Sequence, residues 1–420
     1  MLDIKLIREN PDSVKQGAKA KNQDCDIEQI LKLDNDRRDL IKQVEALKGE
    51  RNTASAEIAK KKKAGEPADE AIAAMREVGQ KISQLDDQLR EVDNQLFELR
   101  SWIPNLPHES VPIGDESNNQ VVREWGTKRE FSFTPQAHWD LGEKLDIIDL
   151  AASARISGSG FHVLKGAGAK LQRALINYML DLHTKDGFVE LTAPHLVTED
   201  TLRGTGQLPK MAEDMYKTAD DNLYLIPTAE VPVTNMYKGE IIEGGLLPMK
   251  FVAHTPCYRR EAGAAGKDTR GILRLHQFDK VEMVQVVEPE GSYEVLEALT
   301  AQAEKVIQGL NLPYRVALLA SGDLSFAAAK CFDIELWSPG VESWLEVSSV
   351  SNFEDFQARR MNLRYRDANK KVTFPHTLNG SGTALPRLVI AIMENYQNED
   401  GSITIPEIIR PYMGGVEKIS

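Results

Sequence analysis

The stretch Cys257-Tyr-Arg-Arg-Glu-Ala-Gly-Ala-Ala-Gly-Lys-Asp-Thr-Arg-Gly-Ile-Leu-Arg-Leu-His-Gln-Phe-Asp-Lys-Val-Glu-Met283 has the pattern of two strands joined by a long, glycine-punctuated loop. Period-two alternation sends Tyr258 and Arg260 to one side of the first strand and Arg259 and Glu261 to the other. On the second strand it groups Arg274, His276, Phe278, Lys280 and Glu282 against Leu275, Gln277, Asp279 and Val281. One face of the hairpin thus carries cations from both strands, a flat aromatic and a carboxylate. Such a face can be a solvated antiparallel surface laced by Arg–Glu pairs. It also has the parts of a nucleotide site: arginines on rigid strands grip phosphate oxygens bidentately, an aromatic stacks on a base, and a carboxylate reads a small polar ligand.

Working outward toward the C-terminus, Gly322 to Lys330 leads into Phe332-Asp-Ile-Glu-Leu-Trp337 and then Trp344-Leu-Glu-Val-Ser-Ser-Val-Ser-Asn352. In the last strand, alternation puts Glu346 and Ser348 on one face. Carboxylate and hydroxyl oxygens together are hard ligands suited to Mg²⁺; they also suit a solvated edge strand. Leu378-Asn-Gly-Ser-Gly-Thr-Ala-Leu-Pro-Arg387 runs into an apolar helix, Leu388 to Tyr396. Pro386 is compatible with a first helical turn, which places Arg387 at a helix start, where phosphates are favoured.

Toward the N-terminus, Leu225-Ile-Pro-Thr-Ala-Glu230 closes an apolar strand with a hydroxyl and a carboxylate. These acceptors suit an ammonium group, and Thr228 also qualifies as N-cap of a helix running through Val231 to Tyr237. Gly158 to Gly166 reads as a glycine-flanked strand. Ala167 to Lys185 follows as an amphipathic helix with Leu171, Leu175, Tyr178, Met179 and Leu182 on one side, then a strand, Gly187 to Leu191, and Pro194. Gly204-Thr-Gly-Gln-Leu-Pro209 reads as a flexible loop.

The first hundred residues follow a different period. After a small helical lead-in that turns at Asn10-Pro11-Asp12-Ser13, Leu33, Arg37, Leu40, Val44, Leu47, Arg51, Ala54 and Ile58 fall at alternating spacings of four and three. The seam resumes beyond Gly65-Glu66-Pro67 with Met75, Val78, Ile82, Leu85, Leu89, Val92, Leu96 and Leu99. Two heptad runs around a Gly/Pro turn predict an antiparallel coiled-coil arm over about 28–101. A coiled coil often serves dimerisation, but a hairpin satisfies its own seam. Lys60, Lys61, Lys62 and Lys63 beside the turn make a basic tip suited to phosphate, or a solvated helix end. Pro104 and Pro107 end the second helix, and the heptads stop. The domain boundary is therefore set at Pro107, giving residues 1–107 and an α+β remainder, 108–420.

The balance of 51 Lys+Arg against 64 Asp+Glu, net −13, excludes a chain that is basic throughout, so any nucleic-acid contact must be local. Cys25, Cys257 and Cys331 lie far apart with no Cys-x-x-Cys spacing, which points away from a disulfide framework and a cysteine-rich zinc site and toward a reducing, cytoplasmic setting. No signal peptide or membrane-length apolar run is present in the sequence.

Arg259-x-Glu-Ala-Gly, Asp-Thr-Arg-Gly and Arg274-x-His-Gln-Phe-x-Lys-Val-Glu together resemble motif 2 of the class II aminoacyl-tRNA synthetases, and of seryl-tRNA synthetases of bacterial type in particular. The helix–strand–proline run ending at Pro194 resembles motif 1, the dimer interface of that class, and Pro386-Arg387 resembles motif 3. Glu346-Val-Ser-Ser-x-Ser-Asn with Phe353 to Arg360 is similar to a seryl-type signature. The resemblance implies an antiparallel class II sheet flanked by helices, preceded by an arm that binds the long variable arm of tRNA(Ser). It further implies a homodimer, L-serine and ATP as substrates, Mg²⁺, and tRNA(Sec) as a second acceptor. Carried over by residue, Arg259 would hold the α-phosphate and serine carboxylate, Glu261 the adenine edge and Phe278 its face. Arg274 and Arg387 would hold the outer phosphates, and Glu346 and Ser349 the metal; Arg260, Val347 and Ser348 complete the implied ATP segments. Arg259, Arg387 and Glu346 are the catalytic set. Thr228, Ala229, Glu230, Glu282, Asn379 and Ser381 form the serine set, and Lys60 to Lys63 the tRNA contact. Arg260 departs from the family pattern, and Ala264 to Lys267 lie in a variable stretch. Two alternatives stay open: a paralogue that charges a carrier protein, and a non-catalytic synthetase-like binding protein.

Overall fold

The computed structural model describes residues 1–263 and 270–420, so the motif 2 residues from Ala264 to Thr269 lie outside it. The chain divides into two compact units, Met1–Pro104 and Asn105–Ser420.

In the first unit, α1 (Ile4–Glu9) and α2 (Pro11–Ala20) precede two long helices, α3 (Ile27–Ala64) and α4 (Asp69–Ser101). The heptad seam is what joins these two: Leu33, Val44, Ile82, Leu85 and Leu96 are buried, and the remaining seam positions are half-buried except Arg51, which is exposed. A two-helix pair has only one contact line, so burial is thin. Arg37 answers the polar seam position by reaching Asp93 on the opposite helix, and Lys48 pairs with Asp86 at 3.4 Å. At the base, the buried carboxylate of Asp34 receives two hydrogen bonds from Arg8 of α1, at 2.8 and 3.0 Å. Gly65 ends α3 in the left-handed conformation, φ 76°, and the last-turn lysines Lys61, Lys62 and Lys63 complement the negative end of the helix dipole.

The second unit is built on an eight-stranded sheet. Taken across it, the strands are Gln120–Trp125, Tyr314–Leu318, Lys330–Ser338, Ser343–Asn352, His376–Ala384, Gln277–Val287, Met249–Tyr258 and Val189–Glu190. Neighbours run antiparallel except the last pair, which is parallel. Helices Gly166–Lys185, Ser292–Gly309 and Leu385–Asn395 supply Leu171, Leu175, Met179, Leu299, Val306 and Leu388 to the main core against the sheet. Every residue of Leu385–Asn395 except Arg387 is buried, so the one unburied position on this helix is a cation.

Four local expectations change. Gly204 and Thr205 do not open a flexible loop; they are buried at the end of the helix Glu199–Thr205, which Gly206 caps. The segment Gly158 to Gly166 is not a strand; it makes a single bridge, Leu164 to Ile148. Its role is to dock motif 2: the Gly160 carbonyl accepts from the His276 amide at 2.7 Å, and the His276 ring stacks on Phe161 at 5.3 Å. At Gly160 (φ 79°) a Cβ would lie 2.1 Å from His276, which is why glycine is required. The first motif 2 strand stops at Tyr258, and Arg259 to Glu261 leave the ladder, with Glu261 in the left-handed region at φ 51°. The apolar helix near the C-terminus begins at Leu385, three residues earlier than its hydrophobic run, with Pro386 in its first turn.

Candidate active site

The central strands splay their polar faces onto one cavity of about 400 Å³. Thr228, Glu230, Arg259, Glu261, Arg274, Phe278, Lys280, Glu346, Val347, Ser348, Ser349, Asn379, Ser381 and Arg387 all line it. Residues distant in sequence meet here because adjacent strands of the sheet carry them.

The inner end is a closed polar cluster. Ser381 lies directly opposite Glu282 across the ladder, so its hydroxyl donates to Glu282 Oε2 at 3.2 Å. Asn379, two residues earlier on the same face, uses one amide nitrogen to bridge Glu282 Oε1 at 3.0 Å and Glu230 Oε2 at 3.1 Å. Lys280 forms a buried ion pair with Glu282, whose side chain is fully enclosed. Gln357 donates to Glu230 Oε1 at 2.7 Å and to the Thr205 carbonyl at 3.1 Å, tying the loop that starts there to the cluster. Thr228 Oγ1 accepts from the Glu230 amide at 3.2 Å and lines the cavity, but the N-cap of the short helix Glu230–Thr234 is Ala229, so Thr228 is not its cap. Burial, and then the charge of Glu282, pushes the Glu230 carboxyl up to about 7. The Oδ1 of Asn379 is buried with no partner among the described residues. A cluster with two carboxylates, one lysine and an idle amide oxygen is short of one small cation.

The mouth is different. Arg274 faces Glu261 at 3.3 Å, and Arg387 reaches the Glu346 carbonyl at 2.6 Å and its carboxylate at 3.2 Å. Arg259 makes no ion pair with any described residue; its Nε is buried without a partner, and its guanidinium lies 5.2 Å from the Phe278 ring centroid. It is the one cation of the cavity wall without a described carboxylate partner.

A β-bulge undoes the alternation that grouped Ser348 with Glu346 and leaves the implied pair, Glu346 and Ser349, as it was. Between Glu346 and Ser348 the register against Lys330–Ser338 shifts, so the strict alternation that paired Glu346 with Ser348 fails. Ser348 is buried and its hydroxyl donates to the Ser381 carbonyl, which takes it out of the set as a side-chain ligand. Ser349 instead lies opposite Asp333. Burial, then the charge of Glu346, pushes the Asp333 carboxyl well above the usual range. Asp333 escaped the sequence reading because only the bulged register brings it beside Ser349 and Glu346.

Other implied positions fall outside the cavity. Glu282 is fully enclosed and is not part of the wall; its partners Lys280, Asn379 and Ser381 line the cavity in its place. Arg260 is exposed, and among the described residues its amide donates to the Asp214 carbonyl at 2.9 Å. Ala229 is fully buried, packed with Val233 and Ala253, and is not part of the wall. Lys60 to Lys63 belong to the first unit and are exposed. Gln357 and Lys280 had no assigned role in the sequence; a buried glutamine and lysine show their function only once their carboxylate partners are located.

Known proteins match this chain along its whole length. The description "tRNA synthetase class II core domain (G, H, P, S and T)" matches residues 215–396, and "Seryl-tRNA synthetase N-terminal domain" matches residues 1–107. A serine–tRNA ligase of Carboxydothermus hydrogenoformans is 54% identical over 417 residues, covering 99% of this chain and 98% of that protein. The crystal structure of seryl-tRNA synthetase from Pyrococcus horikoshii complexed with ATP is similar at a TM-score of 0.92 and 40% identity, covering 100% of this chain and 99% of the other. The cytoplasmic serine–tRNA ligase of Naegleria fowleri in complex with AMP is similar at 0.88 and 31% identity, with 100% and 99% covered. No helix among the described residues is long and apolar enough to cross a membrane. With its antiparallel sheet, its helical arm and these full-length likenesses, the chain belongs to the seryl-tRNA synthetase family of class II aminoacyl-tRNA synthetases.

Proposed function

We propose that this one cavity carries both steps of serine–tRNA ligation, with serine in the inner end and ATP across the mouth. The chain is a serine–tRNA ligase; the reading here assigns the work to its residues. The observation that supports the assignment best is the adjacency of a buried cluster lacking one cation to a guanidinium lacking an anion. Serine supplies both, an ammonium for Glu230, Thr228 and Asn379 Oδ1 and a carboxylate for Arg259.

In the first step the serine carboxylate attacks the α-phosphate of ATP and pyrophosphate leaves. Arg259 holds the attacking carboxylate and the α-phosphate together, which lowers the barrier by positioning and by neutralising charge that grows in the transition state. Phe278 stacks on the adenine, Glu261 reads its edge, and Arg274 and Arg387 exchange their carboxylate partners for the outer phosphates. In the second step the 3′-terminal ribose hydroxyl of tRNA attacks the seryl carbonyl and AMP leaves. Glu282 and Ser381 meet the serine hydroxyl. Alanine leaves that buried carboxylate short of a donor, a defect that sites of this kind convert into discrimination on the order of 10⁴. Threonine brings the hydroxyl, so only the size of the inner end excludes it.

Glu346 and Ser349 line the mouth and offer a carboxylate and a hydroxyl, oxygen donors of the kind Mg²⁺ takes, whereas Asp333, opposite Ser349, is buried and not part of the wall. When bound, Mg²⁺ supplies neutralisation of phosphate charge at the mouth.

Residues 1–107 form the tRNA-binding domain and 108–420 the catalytic domain in this reading. The arm, with Lys60 to Lys63 at its tip, engages tRNA(Ser), and tRNA(Sec) is a second acceptor. The enzyme works as a cytoplasmic homodimer. Serine-dependent ATP–pyrophosphate exchange, followed by charging of total tRNA, tests the whole. Exchange with charging is expected. Exchange without charging would favour a carrier-protein enzyme, and absence of exchange a binding protein. Replacing residues 36–95 with a short linker should spare exchange and abolish charging; charging that survived would refute the role of the arm.

A further inference from the structure

We infer that Lys280 is a positioning residue for substrate discrimination: it presents Glu282 to the amino acid as an acceptor-only carboxylate, so that a substrate lacking a hydroxyl is penalised. This rests on the placement of serine in the inner end of the cavity.

The Lys280 side chain is 8% exposed and that of Glu282 is 0% exposed. Lys280 and Phe278 line the cavity, whereas Glu282, two residues further along the same strand face, is enclosed behind the wall. An ion pair placed there loses more hydration than a surface pair regains, so it is a poor device for stability alone. Its neighbours explain it better. Glu230 is bridged to Glu282 through Asn379, and the charges of Lys280 and Arg259 both act on Glu230. With Glu230 ionised, Glu230, Glu282, Lys280 and Arg259 sum to neutrality, and serine, which adds an ammonium and a carboxylate, keeps the sum neutral.

Glu282 has three described donors: Lys280 and Ser381 on one oxygen and Asn379 on the other. A carboxylate accommodates about four, which leaves one acceptor position for the substrate hydroxyl. With Lys280 neutralised, Glu282 Oε2 keeps Ser381 as its one described donor, and the ion pair that fixes the buried side chain is gone. A Glu282 side chain that can turn between partners loses little when alanine brings no hydroxyl. Lys280 therefore acts on selectivity through Glu282, not on the reacting atoms.

The test is the ratio of kcat/KM for serine to that for alanine in ATP–pyrophosphate exchange, with the ATP KM measured in parallel. In Lys280→Gln the ratio should fall at least tenfold, with the ATP KM within about threefold of the parent, and Lys280→Arg should restore the ratio. A purely structural lysine would lower kcat for both amino acids and leave their ratio unchanged, and that result would overturn the inference. If Lys280→Gln does not fold, Lys280→Gln/Glu282→Gln, which strands no charge, is compared with Glu282→Gln. Equal ratios support action through Glu282 alone, and a further fall in the double variant contradicts it. Failure of the parent enzyme to exchange with serine would instead strike at the placement of serine, so the two failures are distinguishable.

Discussion

At the inner end of the cavity Glu282 already has three described donors, whereas at the mouth Arg259 has no described anionic partner and the other arginines hold carboxylates at 3.2–3.3 Å that phosphates can displace. The inner end is fixed by hydrogen bonds between strands on either side. The ion pairs of the mouth are partly solvated and cheap to break. On the proposed assignment, selectivity falls where nothing has to move, and turnover where polyphosphate enters and leaves.

If the mouth works through an unpaired cation, Arg259→Ala should have the largest effect, lowering kcat/KM for exchange by on the order of 10³; near-normal exchange would remove Arg259 from the phosphate role. The inner end sharpens the contrast through pH. Glu230 titrates near 7 in the free protein, so below that pH an incoming ammonium must displace a proton. The serine KM should rise as pH falls, approaching tenfold per unit, while the ATP KM changes less; Glu230→Gln should flatten the profile. Linkage runs in the matching direction. The stability that this raised carboxyl contributes is fully present below the ordinary glutamate range and is lost as pH rises through about 7, a trend that urea midpoints should show in the parent and not in Glu230→Gln.

Smaller effects are expected in the arm, which lies outside the cavity comparison and calibrates it. Changing Lys60 to Lys63 to alanine should raise the tRNA KM several-fold and reduce the salt dependence of charging by roughly 0.7–0.9 log unit for each phosphate no longer neutralised, with exchange untouched. An unchanged salt slope would return these lysines to their dipole role at the end of α3. Arg37→Ala, which opens a half-exposed pair with Asp93, should cost at most about 1 kcal/mol in thermal unfolding.

The arm was the most legible part of the sequence, because a heptad is a local pattern that predicts its own partner. Motif 2 was nearly as plain: Arg259, Glu261, Arg274 and Phe278 reach the cavity even though the first strand ends before Arg259. The limits lie where a residue's role depends on a register that one strand cannot disclose. Val347 occupies the bulge that separates Glu346 from Ser348 and brings Asp333 opposite Ser349, and no alternation rule contains that shift. Lys280 was visible on the right face, yet its meaning required the buried neighbours Glu282 and Glu230. The Gly158 to Gly166 segment misled in the opposite sense. Its glycines suit a turn before a strand, and one of them instead clears space for the His276 ring.

The division of the cavity is tested most directly by measuring the serine and ATP KM values of Glu282→Gln side by side in the exchange assay. The serine KM should rise on the order of 10²-fold with the ATP KM within about threefold of the parent. An unchanged serine KM, or an ATP KM that rises in step with it, would contradict the assignment of serine to the inner end.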